Sequence, residues 1–225
     1  MQIDNLSNIK VLVWDFDSTL YPPQPKLFTA VREAEYQVIM DHTGWPRERT
    51  MAEFKKLHKI VTPSGTQVTA NLAKIPVVAA ARETETYFDR RKFLSKDLQL
   101  ISLFQKLIRY QHLLVPNGTK EKIGETLEVL GVSMATFQAV ITPETTGVTK
   151  PNIKPFELVL ASTQLPAAQH LMIGDRVEVD LIPAKKLGMR TCWVTWKNIP
   201  QTPESEMVDV CISTIYELAK LFDAA

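Results

Sequence analysis

Two aspartates separated by a single residue stand at the end of an apolar run. Val11-Leu12-Val13-Trp14 leads directly into Asp15-Phe16-Asp17, and Ser18-Thr19-Leu20 follow. Side chains alternate faces along an extended strand, so Asp15 and Asp17 are expected on one side of the strand end and Phe16 on the other. Two carboxylates that close repel unless positive charge sits between them. A hard cation such as Mg2+ meets that need, because it takes oxygen ligands and is often held by one or two carboxylates plus a substrate phosphate. Asp and Ser also make ordinary turns, so the pair must be weighed against what the rest of the chain can bring to it.

The elements that would position such a pair can be read from periodicity. Residues 9–14 form a nearly continuous apolar run, as in a strand buried on both faces. Tyr21-Pro22-Pro23-Gln24-Pro25 cannot continue a central strand and gives a rigid exit. From Leu27 to about Leu107 the strand signal is absent. Apolar residues recur there at helical spacing, with a helix start at Pro46, a break at Thr62-Pro63-Ser64-Gly65, and helices over 77–90 and 98–109. After His112 short apolar strands alternate with helices: strands at 112–115, 137–141, 171–173, 191–195 and 208–212, and helices at 120–130, 155–162, 179–187 and 214–222. Alternation of this kind implies βαβ units and a parallel sheet covered on both faces. The expected fold is therefore α/β, a three-layer Rossmann-like core with an inserted all-helical segment. The core would comprise residues 1–20 and 112–225, and the helical cap residues 21–111. Ligands of such sheets lie beyond the carboxyl ends of the strands. Asp15, Asp17, Asn117 and Asp175 all fall at those ends, with Lys150 in a loop on the same side.

Together these residues resemble the haloacid dehalogenase (HAD) superfamily over nearly the whole chain. Asp15-Phe16-Asp17-Ser18-Thr19-Leu20 is similar to its first motif, Pro116-Asn117-Gly118 stands where the second is expected, and Lys150-Pro151-Asn152 through Phe156 resembles the third. Gly174-Asp175-Arg176-Val177-Glu178-Val179-Asp180 is similar to the fourth. The helical insert lies where that superfamily carries a C1-type cap, and Thr19-Leu20-Tyr21-Pro22 looks most like the pyrimidine 5'-nucleotidase-like branch.

The resemblance implies a Mg2+-dependent phosphomonoester hydrolase acting through an aspartyl-phosphate on a small phosphorylated metabolite, a nucleotide or a sugar phosphate. Asp15 would be the nucleophile. Asp17 would protonate the leaving oxygen and later activate water, a task that calls for a raised pKa. Mg2+ would be held by the Asp15 carboxylate, the Asp17 backbone carbonyl and Asp175, with Asp180 an outer partner of the metal or of Lys150. Lys150 would hold phosphoryl oxygens and steady Asp15. Asn117 and Gly118 are the expected phosphate-binding residues. One departure stands out: the second motif normally offers a Ser or Thr hydroxyl, and Pro116 has neither hydroxyl nor N–H. Asn117, the Gly118 N–H or Thr119 would have to take its part. Tyr21, Arg82, Tyr87, Arg90 and Arg91 are candidates for substrate selection in the cap, and Arg176 for contact with substrate or cap. His42, His58, His112 and His170 have no ligand spacing and read as structural or exposed. Trp14 and Trp193 read as core, and Trp45 and Trp196 as surface or cap-interface residues.

Totals narrow the classes. A net charge of +1 over 225 residues predicts no bulk attraction to nucleic acid or membrane. Two cysteines, Cys192 and Cys211, make neither a disulfide framework nor a zinc site; with no signal-like start and no long apolar run, a cytoplasmic setting is expected. The expected assembly is a monomer or homodimer. Residues 21–112 carry fifteen Lys and Arg against nine Asp and Glu, the rest eleven against sixteen. Such a basic segment is either a solvated helical face or an attractor of anionic substrate. Two competing functions remain. A 2-haloacid dehalogenase shares the nucleophilic aspartate but needs no metal and usually lacks the second aspartate, so Asp17 and Asp175 oppose it. A catalytically weak or inactive HAD-fold binding protein is favoured by Pro116 alone.

Overall fold

Val11, Leu12, Val13 and Trp14 are all fully buried because the strand they form is the centre of the sheet, covered above and below. A computed structural model describes residues 6–60, 64–197 and 206–223. Its sheet has six strands, all parallel: β1 (Val11–Trp14), β2 (Gln111–Leu114), β3 (Ala139–Val140), β4 (His170–Gly174), β5 (Arg190–Val194) and β6 (Val210–Ile212), in the order β3-β2-β1-β4-β5-β6. This is the doubly wound Rossmann order, whose direction of winding reverses between β1 and β4. The reversal opens a crevice beyond their carboxyl ends, where Asp15 and Asp175 stand one residue past each strand.

Alternation along β1 builds the three layers. Leu12 and Trp14 join Leu114, Leu171, Ile173, Cys192 and Ile212 on one face. Val11 and Val13 join Leu113, Met172 and Cys211 on the other. The first face is covered by α5 (Leu98–Lys106), α6 (Lys120–Leu130) and α10 (Leu218–Asp223), through Leu100, Leu103, Phe104, Ile123, Leu127 and Leu218. After the single-turn α7 (Pro143–Thr146), the second face is covered by α8 (Lys154–Thr163) and α9 (Ile182–Lys186), through Phe156, Val159 and Ala184. His112 is buried in this scaffold, accepting from Trp14 Nε1 at 3.1 Å and paired through Nε2 with the Leu107 carbonyl at 3.0 Å.

Between β1 and β2 lie α1 (Pro25–Thr43), α2 (Arg47–His58), α3 (Gly65–Ala73) and α4 (Val77–Thr84). They share small apolar clusters of their own, Tyr36, Ile39, Phe54 and Val68 in one and Ala70, Val77 and Ala80 in the other. α5 falls within the span read as cap but packs on the sheet.

Several elements differ from the sequence reading. Helix α3 was not foreseen; its N-cap is Ser64, whose hydroxyl accepts from Gln67 N at 3.2 Å, inside what read as a break. Val61, Thr62 and Pro63 of that break lie outside the described residues. The helix expected over 77–90 stops at Thr84, and residues 90–93 form a separate single turn capped by Asp89. The helix expected over 179–187 begins instead as a wide turn, Val177–Leu181, before α9. The edge strand β3 is only two residues long. Among the described residues no helix is long and apolar enough to cross a membrane.

Candidate active site

Asp15 continues β1 by one hydrogen bond, its N–H donating to the Ile173 carbonyl at 2.9 Å, so its side chain leaves the sheet at the crevice. The chain then turns sharply, with Thr19 N and Leu20 N both donating to the Phe16 carbonyl at 3.2 and 3.0 Å. Ser18 takes φ 63°, in the left-handed region that favours glycine. The carbonyl of Ser18 accepts from Trp196 Nε1 at 2.6 Å, which ties the turn to the segment just after β5. Phe16 is swallowed by the core, and its ring meets Tyr21 edge-on with centroids 5.7 Å apart.

Four side chains meet beyond the strand ends. Lys150, 1% exposed, donates from Nζ to Asp15 Oδ1 at 2.5 Å and to Asp180 Oδ1 at 2.7 Å. Burial alone would lower the ammonium's pKa, but these two carboxylates raise it. Lys150 is placed by Asn117, whose Oδ1 accepts from Lys150 N at 2.8 Å and whose Nδ2 donates to Lys150 O at 3.3 Å. Asp15 is further held by the Thr19 hydroxyl, 3.0 Å from Oδ2. Asp180 reaches back from the wide turn and accepts from Arg176 N at 3.2 Å. Gly174 makes that approach feasible: a Cβ there would lie 2.6 Å from the Cβ of Asp180. Asp175 follows β4, and Trp193 Nε1 donates to its carbonyl at 2.9 Å.

Asp15, Asp175 and Asp180 each bring a carboxylate oxygen within 4.8 Å of the others, an arrangement that could hold a metal ion. The donor set fits one. Asp175 Oδ1 is buried with no hydrogen-bond partner, and burial together with the neighbouring charges of Asp15 and Asp180 pushes the Asp175 carboxyl up to about 8. Crowded, under-satisfied carboxylates of this kind are where a hard divalent cation gains most.

Asp17 stands apart from that cluster. Its carboxylate accepts from Arg90 Nε at 3.0 Å, from Arg90 Nη2 at 3.2 Å and from the Tyr21 hydroxyl. The two aspartates therefore face different partners, and Asp17 as a metal residue rests on its backbone carbonyl alone. The raised pKa expected for Asp17 is not found. Burial raises it, but the Arg90 guanidinium and the Tyr21 hydroxyl hold the carboxyl below its usual value. Arg176 feels all four aspartates: burial would lower its pKa, while Asp180, Asp15, Asp175 and Asp17 raise it.

The second-motif loop also differs from expectation. The Asn117 amide is turned onto the backbone of Lys150. Thr119 cannot lend its hydroxyl in place of Pro116, because both its N–H, at 3.0 Å, and its Oγ1 are given to Glu85 Oε2. Gly118 lies under Glu85, whose Oε1 is 2.7 Å from where a Cβ would be. Sequence reasoning missed Glu85 and gave Thr19, Trp193 and Trp196 no part. Of the cap candidates, Tyr21 and Arg90 reach the site, whereas Arg82 pairs with Glu144 at 2.8 Å, Tyr87 with Asp41 at 2.5 Å and Arg91 with Asp89 at 2.9 Å. The helical segment also touches the core through Ser64 and Thr149, whose hydroxyls are 2.8 Å apart beside Lys150.

Residues 9–188 match the family described as haloacid dehalogenase-like hydrolase. The glyceraldehyde 3-phosphate phosphatase of Methanocaldococcus jannaschii is 28% identical over 224 residues, covering 95% of this chain and 96% of that protein. The pyrimidine 5'-nucleotidase YjjG of Escherichia coli is 33% identical over 86 residues, 38% of either chain. The crystal structure of a HAD phosphatase from Thermococcus onnurineus has the same fold, with a TM-score of 0.65 at 20% identity over 95% of this chain and 98% of that one.

Proposed function

This chain belongs to the haloacid dehalogenase-like hydrolases, and from that membership we propose that it is a Mg2+-dependent phosphatase of small phosphate monoesters. The observation that carries the reading is Lys150, buried and bridging Asp15 and Asp180 beside Asp175. Asp15 is the nucleophile: its carboxylate attacks phosphorus, the bond to the leaving oxygen breaks, and an aspartyl-phosphate forms. Lys150 is 2.5 Å from the same carboxylate, so a phosphoryl oxygen arriving there meets a fixed ammonium. Asp17 lies two residues on and serves as acid to the leaving group and then as base to water; against the effect of burial, Arg90 and Tyr21 hold its carboxyl below the usual value, so it takes up its proton as the negatively charged phosphate enters beside it. Mg2+ would be held by Asp15, Asp175 and the Asp17 carbonyl, with Asp180 behind them, and would supply charge neutralisation for nucleophile and phosphate.

The segment 21–111 serves as cap over a core of 1–20 and 112–225, with α5 fastened to the core. Substrate is a small phosphorylated metabolite; the full-length likeness to a glyceraldehyde 3-phosphate phosphatase favours a triose phosphate over a nucleotide. Asp17 and the carboxylate cluster weigh against a metal-free dehalogenase. The test is phosphate release from a panel of sugar phosphates and nucleoside monophosphates with Mg2+, comparing wild type with Asp15→Asn. Equal rates on every ester would refute the hydrolase.

A further inference from the structure

Asp17 is gripped from the helical segment by a guanidinium that is itself built in on three sides. Arg90 is 7% exposed. Its Nη1 donates to Glu85 Oε1 at 2.6 Å, and its Cζ lies 4.9 Å from the centroid of Phe88. Glu85, 6% exposed, is in turn fastened to the core at Thr119. The pair lies over Gly118, where a Cβ would be 2.7 Å from Glu85 Oε1 and 3.3 Å from Arg90 Nη2. Thr119, Glu85, Arg90 and Asp17 thus form one continuous chain of contacts from the second-motif loop to the first. A rigid fork presenting Nε to Oδ1 and Nη2 to Oδ2 sets both the position and the plane of the Asp17 carboxyl.

We infer that Arg90, braced by Glu85, is the positioning residue that aims the Asp17 carboxyl at the leaving oxygen of the substrate. The inference rests on the reading of Asp17 as the acid of a phosphatase. A group that protonates a leaving oxygen matters in proportion to how badly that oxygen needs the proton. Phenolate leaves poorly without it, whereas 4-nitrophenolate leaves well. Phenyl phosphate and 4-nitrophenyl phosphate have nearly the same shape, so a lost binding contact or a loosened fold affects both alike, while a misaimed acid affects mainly the first. The parameter to compare is kcat/KM, which covers the steps through departure of the leaving group and excludes the later hydrolysis of the aspartyl-phosphate.

Arg90→Lys keeps the buried positive charge and removes the fork. It is expected to lower kcat/KM on phenyl phosphate by about 30-fold and on 4-nitrophenyl phosphate by about threefold or less. Glu85→Gln, which loosens the brace while leaving the fork intact, is expected to show the same selectivity at about a fifth of the size. Thermal melting accompanies both variants. Equal losses on the two esters, or no loss on either, overturn the inference. Asp17→Asn in the same assay separates it from the reading beneath it. Selective loss with Asp17→Asn but not with Arg90→Lys sinks the role of Arg90 alone. No selectivity with Asp17→Asn, or no wild-type turnover of either ester, sinks the acid role of Asp17 and the inference together.

Discussion

Replacing Lys150 by Met tests the site where its electrostatics are most exacting. Met fills nearly the same volume, so no cavity opens, and what is lost is an ammonium 2.5 Å from Asp15 and 2.7 Å from Asp180. The two carboxylates are 3% and 0% exposed, and Asp175 crowds them. Removing one partner of a buried ion pair leaves an uncompensated charge that costs about 3–5 kcal/mol. For a chain of this size each kcal/mol is about 2–4 °C of melting temperature, so a fall of about 10 °C is expected without metal. Mg2+ should restore more of that loss in the variant than it adds to wild type, because the cation answers the charge the lysine left. Phosphate release should fall by about a hundredfold or more, since a preorganised cation at the phosphoryl oxygens is gone. The measurements are thermal unfolding with EDTA and with Mg2+, and initial rates on the best ester of the panel. A variant that melts within 2 °C of wild type, or turns over within about threefold of it, would refute the account of Lys150 as the charge on which the carboxylates depend.

Other perturbations follow from the same geometry. Burial pushes Glu35 up to about 7, with Arg32 3.3 Å away offsetting part of it. Its folded form thus keeps a proton that the unfolded chain gives up near 4.5, and stability present below that pH is lost as pH rises toward 7. Glu35→Gln should therefore melt several degrees higher than wild type at pH 8, from at most about 3 kcal/mol, and no higher at pH 4.5; an unchanged pH slope would count against it. Pro116→Thr should raise turnover of a generic phosphomonoester, by up to about a hundredfold, because it restores a donor that Thr119 cannot lend; no change, or a fall, would argue against that deficit. Mg2+ at about a hundred times its Kd should stabilise wild type by about 2.7 kcal/mol and leave Asp175→Asn nearly unmoved, so equal shifts would remove Asp175 from the metal site.

Much of the site could be read from residue types and spacing, because Asp15, Lys150 and Asp175 each sit on a strand end or adjoining loop that apolar periodicity locates, and Asp180 lies in the helical turn that follows β4. The sheet was legible for the same reason: a strand buried on both faces leaves an uninterrupted apolar run, as at Val11–Trp14. What escaped was set by contacts between distant segments. Asp17 reads as a partner of Asp15 on one strand face, but β1 ends at Trp14 and the turn through Ser18 hands its carboxylate to Arg90. Nothing local announces that Glu85 will turn inward, since a glutamate at a helix end in a charged stretch is ordinarily solvated. Nor could Asn117 be seen to serve the backbone of Lys150, thirty-three residues on. Helix α3 was lost inside a Pro-Ser-Gly sequence that reads as a loop until Ser64 is seen capping it.

The central place of β1 also governs when the site can come into being. Its neighbours β2 and β4 begin at Gln111 and His170, so the first strand made is flanked by strands that leave the ribosome roughly 100 and 160 residues later. Asp15 waits as well, since Lys150 is 135 residues downstream. Closing such distant pairings is slow compared with forming the helices between them. During synthesis the helices from Pro25 to Thr84 can form while Val11–Trp14 remains an unpaired apolar edge, a stage at which aggregation competes with folding. Catalytic competence therefore arrives late and all at once, when β4 docks beside β1 and brings Asp175 and Asp180 to the aspartate that has been there from the start.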